Sequence, residues 1–200
     1  ASPYGAAKLY AHSITINYRN AYNMFASTGI LFNHEGPSRG ETFVSRKITM
    51  GVAKIMSNEI KCIYLGNLDS KRDWGDARDY VIAMWKILQH TKPDDFIIST
   101  NKSYSVRQFV EIAFNIVGIK ILWKGKGVNE YGYDRATNRK LIKIDKRYFR
   151  PQEVDHLRGD YSKAKKILKW KPKILFKQMV KDMLINDLNK LNLNSREFIK

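Results

Sequence analysis

Short apolar runs bounded by turn residues alternate along this chain with amphipathic stretches of helical period, and that alternation most constrains its fold. The runs Gly29-Ile30-Leu31-Phe32, Cys62-Ile63-Tyr64-Leu65, Phe96-Ile97-Ile98 and Ile121-Leu122-Trp123 have the length and residue types of buried strands. Between them, 6–25, 41–57 and 75–90 read as helices, the last from Tyr80, Val81, Met84, Trp85 and Leu88 at helical spacing. Ser105-Val106-Arg107-Gln108 has the form of a capping box, and Gly118 suits the other end of the helix it opens. Residues 126–139, rich in Gly and Asn, read as a surface insertion, and 140–145 alternate like an exposed strand. Two helices near 162–168 and 175–191 complete the chain. Strands separated by helices predict an α/β fold with largely parallel pairing.

Charge narrows the partners. The 200 residues carry 36 Lys and Arg against 19 Asp and Glu, a balance that admits a nucleic-acid or anionic-membrane surface. The cations are scattered, however. Their dense run, Lys163, Lys165, Lys166, Lys169, Lys171 and Lys173, is interleaved with Ile167, Leu168 and Trp170 like a solvated amphipathic helix that stops before Pro172. The expectation is a surplus suited to phosphate-bearing ligands, with no nucleic-acid partner. No apolar run is long enough to span a bilayer and no signal-peptide pattern opens the sequence, so no membrane partner is expected either. Cys62, in an apolar setting, is expected to be a buried structural thiol, and a lone cysteine suits a reducing, cytoplasmic compartment. His12, His90 and His156 show no metal-ligand spacing, so no metal is expected.

The chemistry opens the chain. Tyr4 and Lys8, at i and i+4, project from one face of a helix that Pro3 suits as a start. A tyrosine with its ordinary pKa near 10 is a poor base at neutral pH, and an adjacent ammonium favours the phenolate. Such a pair can move a proton at a hydroxyl or carbonyl. The spacing alone is common; Gly5, Ala6 and Ala7, which keep bulk away from the pair, make it more specific.

Ser2-Pro3-Tyr4-Gly5-Ala6-Ala7-Lys8 resembles the active-site helix of extended short-chain dehydrogenase/reductases. Further matches are Gly29-Ile30-Leu31-Phe32-Asn33-His34-Glu35, Phe43-Val44-Ser45-Arg46-Lys47-Ile48, the Leu65 to Gly75 stretch with Arg72-Asp73-Trp74-Gly75, and Tyr148-Phe149-Arg150-Pro151-Gln152-Glu153-Val154-Asp155. That set, in that order, resembles the GDP-mannose 4,6-dehydratase family over nearly the whole chain. The resemblance implies the end of a doubly wound, Rossmann-like parallel sheet plus a smaller C-terminal α/β substrate-binding domain. Residues 1–38 would finish the NADP-binding domain and 39–200 would mainly bind a nucleotide sugar, with about 62–90 returning to the first domain. Tyr4 would be the base on the sugar O4 hydroxyl and Lys8 would bind the nicotinamide ribose. His34 and Arg39 would touch NADP, while Asn33, Val44, Lys47, Arg72, Arg150 and Glu153 would line the GDP-sugar site. Arg and Lys suit a diphosphate, and a carboxylate suits ribose hydroxyls.

Two departures qualify this. In Glu35-Gly36-Pro37-Ser38-Arg39-Gly40, Gly36 and Ser38 stand where the family has a Ser and a second Arg, in a loop that reaches a neighbouring subunit of a dimer or tetramer. The family's Gly-rich phosphate loop and Thr-x-Glu pair lie upstream of residue 1, so the chain reads as a C-terminal portion that does not turn over alone. The rival readings are a dehydratase of a GDP-heptose, a nucleotide-sugar epimerase or 4-keto reductase, and a non-catalytic GDP-sugar-binding fragment.

Overall fold

In the computed structural model, which describes residues 2–149 and 154–199, helices and short strands alternate from end to end. Their order is α1 (Pro3–Tyr22), β1 (Gly29–Leu31), β2 (Asn33–Glu35), α2 (Val44–Met56), β3 (Ile63–Leu65), β4 (Lys71–Arg72), β5 (Trp74–Asp76), α3 (Ala77–Leu88), β6 (Phe96–Ile98), β7 (Tyr104–Ser105), α4 (Val106–Ile116), β8 (Ile121–Lys124), β9 (Tyr131–Asp134), β10 (Lys140–Ile144), α5 (Ser162–Leu168), α6 (Phe176–Lys190) and α7 (Ser195–Phe198). They form two compact units. One takes the chain up to His34, Asp73–Ser103 and Arg158–Ile174; the other takes Glu35–Arg72, Tyr104–Leu157 and the residues from Leu175 onward.

The first unit is built on a parallel pair, β1 with β6, in the register Gly29 to Phe96 and Leu31 to Ile98. Against it pack Tyr80, Ala83 and Ile87 of α3, Ala164 and Leu168 of α5, and Trp170. The Trp170 indole donates to the Asp79 carbonyl at 2.9 Å, and the Asp79 carboxylate accepts the amides of Lys173 and Ile174 at 2.8 Å each. α1 buries none of its residues. Near its C-terminal end the Arg19 fork donates to both oxygens of Asp95, at 3.0 and 2.9 Å, while Asp95 also accepts the Thr28 amide at 3.0 Å.

The second unit sets a four-stranded sheet, in the order β3-β10-β9-β8, beneath helices. β10 runs parallel to β3 and antiparallel to β9. Ile63, Leu65, Ile142 and Ile121 point inward and are buried, whereas Tyr64, Lys143 and Lys124 face outward. Gly132 lies at a close approach on β9, since a Cβ there would sit 2.9 Å from both Ile142 and Trp123. Ile48 and Val52 of α2, Phe109 and Phe114 of α4, and Met179, Val180 and Met183 of α6 make the core. Ser105 and Gln108 form a reciprocal capping box on α4, and Gly118, at φ 76°, follows its last turn. Among the described residues, the other left-handed positions outside glycine are Asn23, Asn58, Asn101, Asn138, Asn192 and Lys169.

Several sequence expectations are corrected. The reading of 126–139 as an insertion hides β9, which joins β8 to β10. Residues 140–144 form an interior strand and do not alternate: Leu141 and Ile142 are both buried, where the register with β9 shifts between Lys140 and Ile142. Cys62 is half-buried rather than buried. β1 is parallel as expected, yet Ile30 is 41% exposed. β3 pairs with β10 of the second unit, and the chain joins the first unit over Asp73–Ser103 rather than from about 62. α3 has two apolar stripes, and the buried one follows Tyr80, Ala83 and Ile87, leaving Val81, Trp85 and Leu88 at least 60% exposed.

Asp95→Asn is expected to lower stability at neutral pH by about 1–3 kcal/mol, the range for hydrogen bonds to charged groups. The Arg19 hydrogen bond, foremost, holds the Asp95 carboxyl below the usual carboxylate range. Its contribution is therefore fully present above the unfolded value near 4 and is lost as pH falls through the lower folded value. Denaturant melts of parent and variant should diverge at pH 7 and converge in acid; a gap unchanged by pH would contradict the ion pair.

Candidate functional site

Tyr4 and Lys8 stand on α1 because its start is well made. Ser2 is extended (φ −146°, ψ 154°), its hydroxyl accepts the Gly5 amide at 3.0 Å, and Pro3 occupies the first turn. Tyr4 is 73% exposed, beside the small residues Gly5, Ala6 and Ala7. Lys8 Nζ lies 5.7 Å from the centre of that ring, so phenol and ammonium share a face as the spacing predicts.

In the same unit Asn33 and His34 are both half-buried on β2. His34 Nδ1 lies 2.9 Å from the Phe32 carbonyl. A carbonyl only accepts, which assigns the proton to Nδ1 and leaves Nε2 as the acceptor of the neutral ring. The ring also rests 5.1 Å from that of Tyr80. Asp73 is buried and accepts the Thr100 amide and hydroxyl, at 2.8 and 2.6 Å, and the Gly159 amide at 3.1 Å. Within the Arg72-Asp73-Trp74-Gly75 motif, Asp73 and the buried Trp74 thus hold the turn.

The second unit carries the other candidates. α2 begins without a side-chain cap, so its first-turn amides face no side-chain acceptor and favour an anion. Val44 is its first residue, and Lys47, one turn on, places Nζ 3.1 Å from the centre of the Tyr148 ring. Tyr148 arrives there because Gly66, after β3, has no side chain: a Cβ would meet the Tyr148 carbonyl at 2.5 Å. Asp145 nearby is held below the usual carboxylate range by its hydrogen bonds from Arg147, with the charge of Lys47 adding to them. Arg72, on β4, pairs antiparallel with Tyr104, and its Nη1 donates to the Lys71 carbonyl at 2.9 Å. Arg150 and Glu153 lie outside the described residues.

Arg39 is the most constrained of the candidates. Its Nε lies 3.0 Å from Glu35 Oε2 and its guanidinium sits 3.6 Å from the centre of the Phe43 ring. Burial pushes the Glu35 carboxyl up, against the pull of Ser45, whose hydroxyl donates to it at 2.5 Å, and of the Arg39 charge. Sequence reasoning missed Glu35, Ser45, Arg46 and Tyr148 as parts of the site. All four stand in the stretches that resemble the family, a signal that marked them without giving them a role. Among the described residues no His, Cys, Asp or Glu cluster is placed to hold a metal ion.

A family model described as GDP-mannose 4,6 dehydratase matches residues 1–183. The human GDP-mannose 4,6 dehydratase is 52% identical over 193 residues, covering 96% of this chain and 52% of the human protein. The GDP-mannose 4,6-dehydratase of Sinorhizobium fredii is 50% identical over 190 residues, covering 95% and 54% respectively. The chain thus spans about half the length of these relatives. RMD from Pseudomonas aeruginosa, solved with NADPH, superposes with a TM-score of 0.76 at 20% identity, over 94% of this chain and 56% of RMD. The dTDP-glucose 4,6-dehydratase of Bacillus anthracis, solved with NAD, gives 0.71 at 18% identity, over 96% and 53%. At such identities these two structures show the shared α/β fold, with its parallel Rossmann-like strands, and no more. By the match across residues 1–183 and relatives half-identical along almost its whole length, the chain belongs to the GDP-mannose 4,6-dehydratase family.

Proposed function

We propose that the protein acts as a GDP-mannose 4,6-dehydratase, converting GDP-D-mannose to GDP-4-keto-6-deoxy-D-mannose with NADP, and that this chain supplies the proton-transfer residue and the sugar-nucleotide contacts. The observation that carries the reading is the exposed Tyr4–Lys8 pair on one face of α1, in a chain of this family. The donors fit an anionic dinucleotide and a diphosphate. A phenol and an ammonium stand one turn apart and Arg39 presents a guanidinium braced on Phe43, while His34 Nε2 is left to accept from a hydroxyl of the ligand.

When bound, NADP would supply hydride chemistry at C4 and C6 of the sugar with no net consumption of the cofactor. Tyr4 takes the O4 proton as C4 becomes a carbonyl. Lys8 holds the nicotinamide ribose and sets a positive charge where the phenol becomes negative. His34 and Arg39 hold the cofactor. Asn33, Val44, Lys47 and Arg72, with Arg150 and Glu153, hold the GDP-sugar, the cations taking the diphosphate. Loss of water across C5 and C6 falls to the family's Thr-x-Glu pair, which is not among the residues of this chain. The protein works in the cytoplasm as a homo-oligomer, a dimer or tetramer, and neither nucleic acid nor membrane enters the reading. In support, the lysine run behaves as the solvated side of α5: Ala164 and Leu168 are buried, and Lys163 pairs with Asp94 at 2.6 Å.

In the full-length protein, Tyr4→Phe should lower turnover of GDP-mannose by about 100-fold or more, the scale of general acid–base catalysis. Calorimetry should find its GDP-mannose affinity within about threefold of the parent; near-parental turnover would sink the assignment of Tyr4. Lys47→Ala should weaken GDP binding by about 10-fold or more, as expected for a charge-assisted contact. Unchanged GDP affinity would remove Lys47 from the site.

A further inference from the structure

The loop at 36–40 has little to order it by itself. Gly36, Ser38 and Gly40 bring almost no side chain, Ser38 and Gly40 are exposed, and the local turn bond runs from the Arg39 amide to the Gly36 carbonyl at 3.0 Å. What fixes it lies beneath, in a residue that faces away from the site. Arg46, in the first turn of α2, is 2% exposed. Its Nη1 donates to two loop carbonyls, Pro37 at 2.7 Å and Arg39 at 2.9 Å. Its other nitrogens meet Asp187 of α6, Nε donating to Oδ2 at 3.0 Å and Nη2 lying 2.7 Å from Oδ1. Asp187 is fully buried and also accepts the Thr49 hydroxyl at 2.6 Å, while the neighbouring Asn186 amide donates to the same Pro37 carbonyl at 3.3 Å.

The division of labour within one guanidinium is what matters. One edge is neutralised and oriented by a carboxylate; the remaining nitrogen clamps the backbone on both sides of Ser38. A lysine could satisfy the carboxylate but lacks the separate nitrogens needed to hold it and the two carbonyls at once. With the backbone set, the Arg39 side chain needs only Glu35 and Phe43 to complete its placement. Binding that finds its cation already placed loses less freedom on association.

We infer that Arg46 and Asp187, assisted by Asn186, are positioning residues that pre-set Arg39 for an anionic dinucleotide and so tie cofactor affinity to helix α6. This rests on the reading that Arg39 contacts the cofactor. It differs from a general stabilising role in one respect: the effect on affinity must pass through Arg39.

The test is a double-mutant cycle in the full-length protein, reading NADPH affinity by fluorescence titration and, without cofactor, amide hydrogen exchange over 36–40. Arg46→Lys keeps the charge opposite Asp187 and should weaken NADPH binding about 10-fold, with faster exchange at the Arg39 amide. In an Arg39→Ala background the same change should cost less than about twofold. Equal losses in both backgrounds would overturn the inference, as would unchanged affinity for Arg46→Lys while Arg39→Ala binds weakly. Parental affinity for Arg39→Ala itself would instead remove Arg39 from the cofactor site, and the inference would fall with it. Should Arg46→Lys fold poorly, Asn186→Ala removes the bond to the Pro37 carbonyl and a long one to Asp187 Oδ1, at 3.4 Å, while leaving Arg46 and Asp187 themselves unchanged. It should weaken NADPH binding about threefold in the parent and not in Arg39→Ala, and an equal loss in both would again refute the positioning role.

Discussion

A buried ion pair has no right to be cheap. Removing Arg46 and Asp187 from water costs several kcal/mol for each charge, and their mutual attraction alone does not reliably offset it. The pair persists in company: the carboxylate accepts from Arg46 Nε and Thr49, Nη1 donates to two carbonyls, and Nη2 lies against the carboxylate as an ion pair at 2.7 Å. Burial still pushes the Asp187 carboxyl up, so the desolvation is felt even in full company. The reward is specificity of arrangement. α2 and α6, 141 residues apart at this contact, can pack in other registers by apolar contact alone, but only one register brings these groups together.

The first unit solves a different problem, three stretches of chain that are remote in sequence. Three aspartates on the middle stretch join them. Asp95 takes Arg19 and the Thr28 amide of the first stretch. Asp73 takes the Gly159 amide near the start of the third, and Asp79 takes the Lys173 and Ile174 amides at its end. Backbone amides are obligatory donors wherever they are buried, so a carboxylate that collects them fixes the path of the chain and not merely a side chain. This explains why Asp73 within the Arg72-Asp73-Trp74-Gly75 motif faces inward while the motif also supplies a candidate ligand residue in Arg72.

What the sequence disclosed follows the range of the interactions involved. Features set within a turn or two were readable: the Tyr4–Lys8 face, the Ser105–Gln108 box and the Gly118 terminus. Partners chosen by tertiary packing were not. Lys140 and Lys143 made 140–145 look like an exposed strand, yet exposed lysines also stand on an interior strand whose Leu141 and Ile142 are buried. Gly132 made 126–139 look like a loop, although it is the residue that lets Ile142 and Trp123 close over β9. α3 offered two apolar stripes and its spacing could not say which was covered. Nothing local announces that Arg46 will meet Asp187, so the brace beneath Arg39 was invisible while Arg39 itself was not.

The asparagines at left-handed positions carry a last consequence. Asn23, Asn58, Asn101, Asn138 and Asn192 all hold φ between 51° and 62°, where glycine is the default and most side chains are strained. Asparagine tolerates the conformation, though not as freely as glycine, while leaving the unfolded chain fewer shapes to explore. An abundance of asparagine, which reads in composition as mere bias, therefore shapes the denatured ensemble as well as the native turns. Part of this protein's stability resides in what its loops cannot do when it is unfolded.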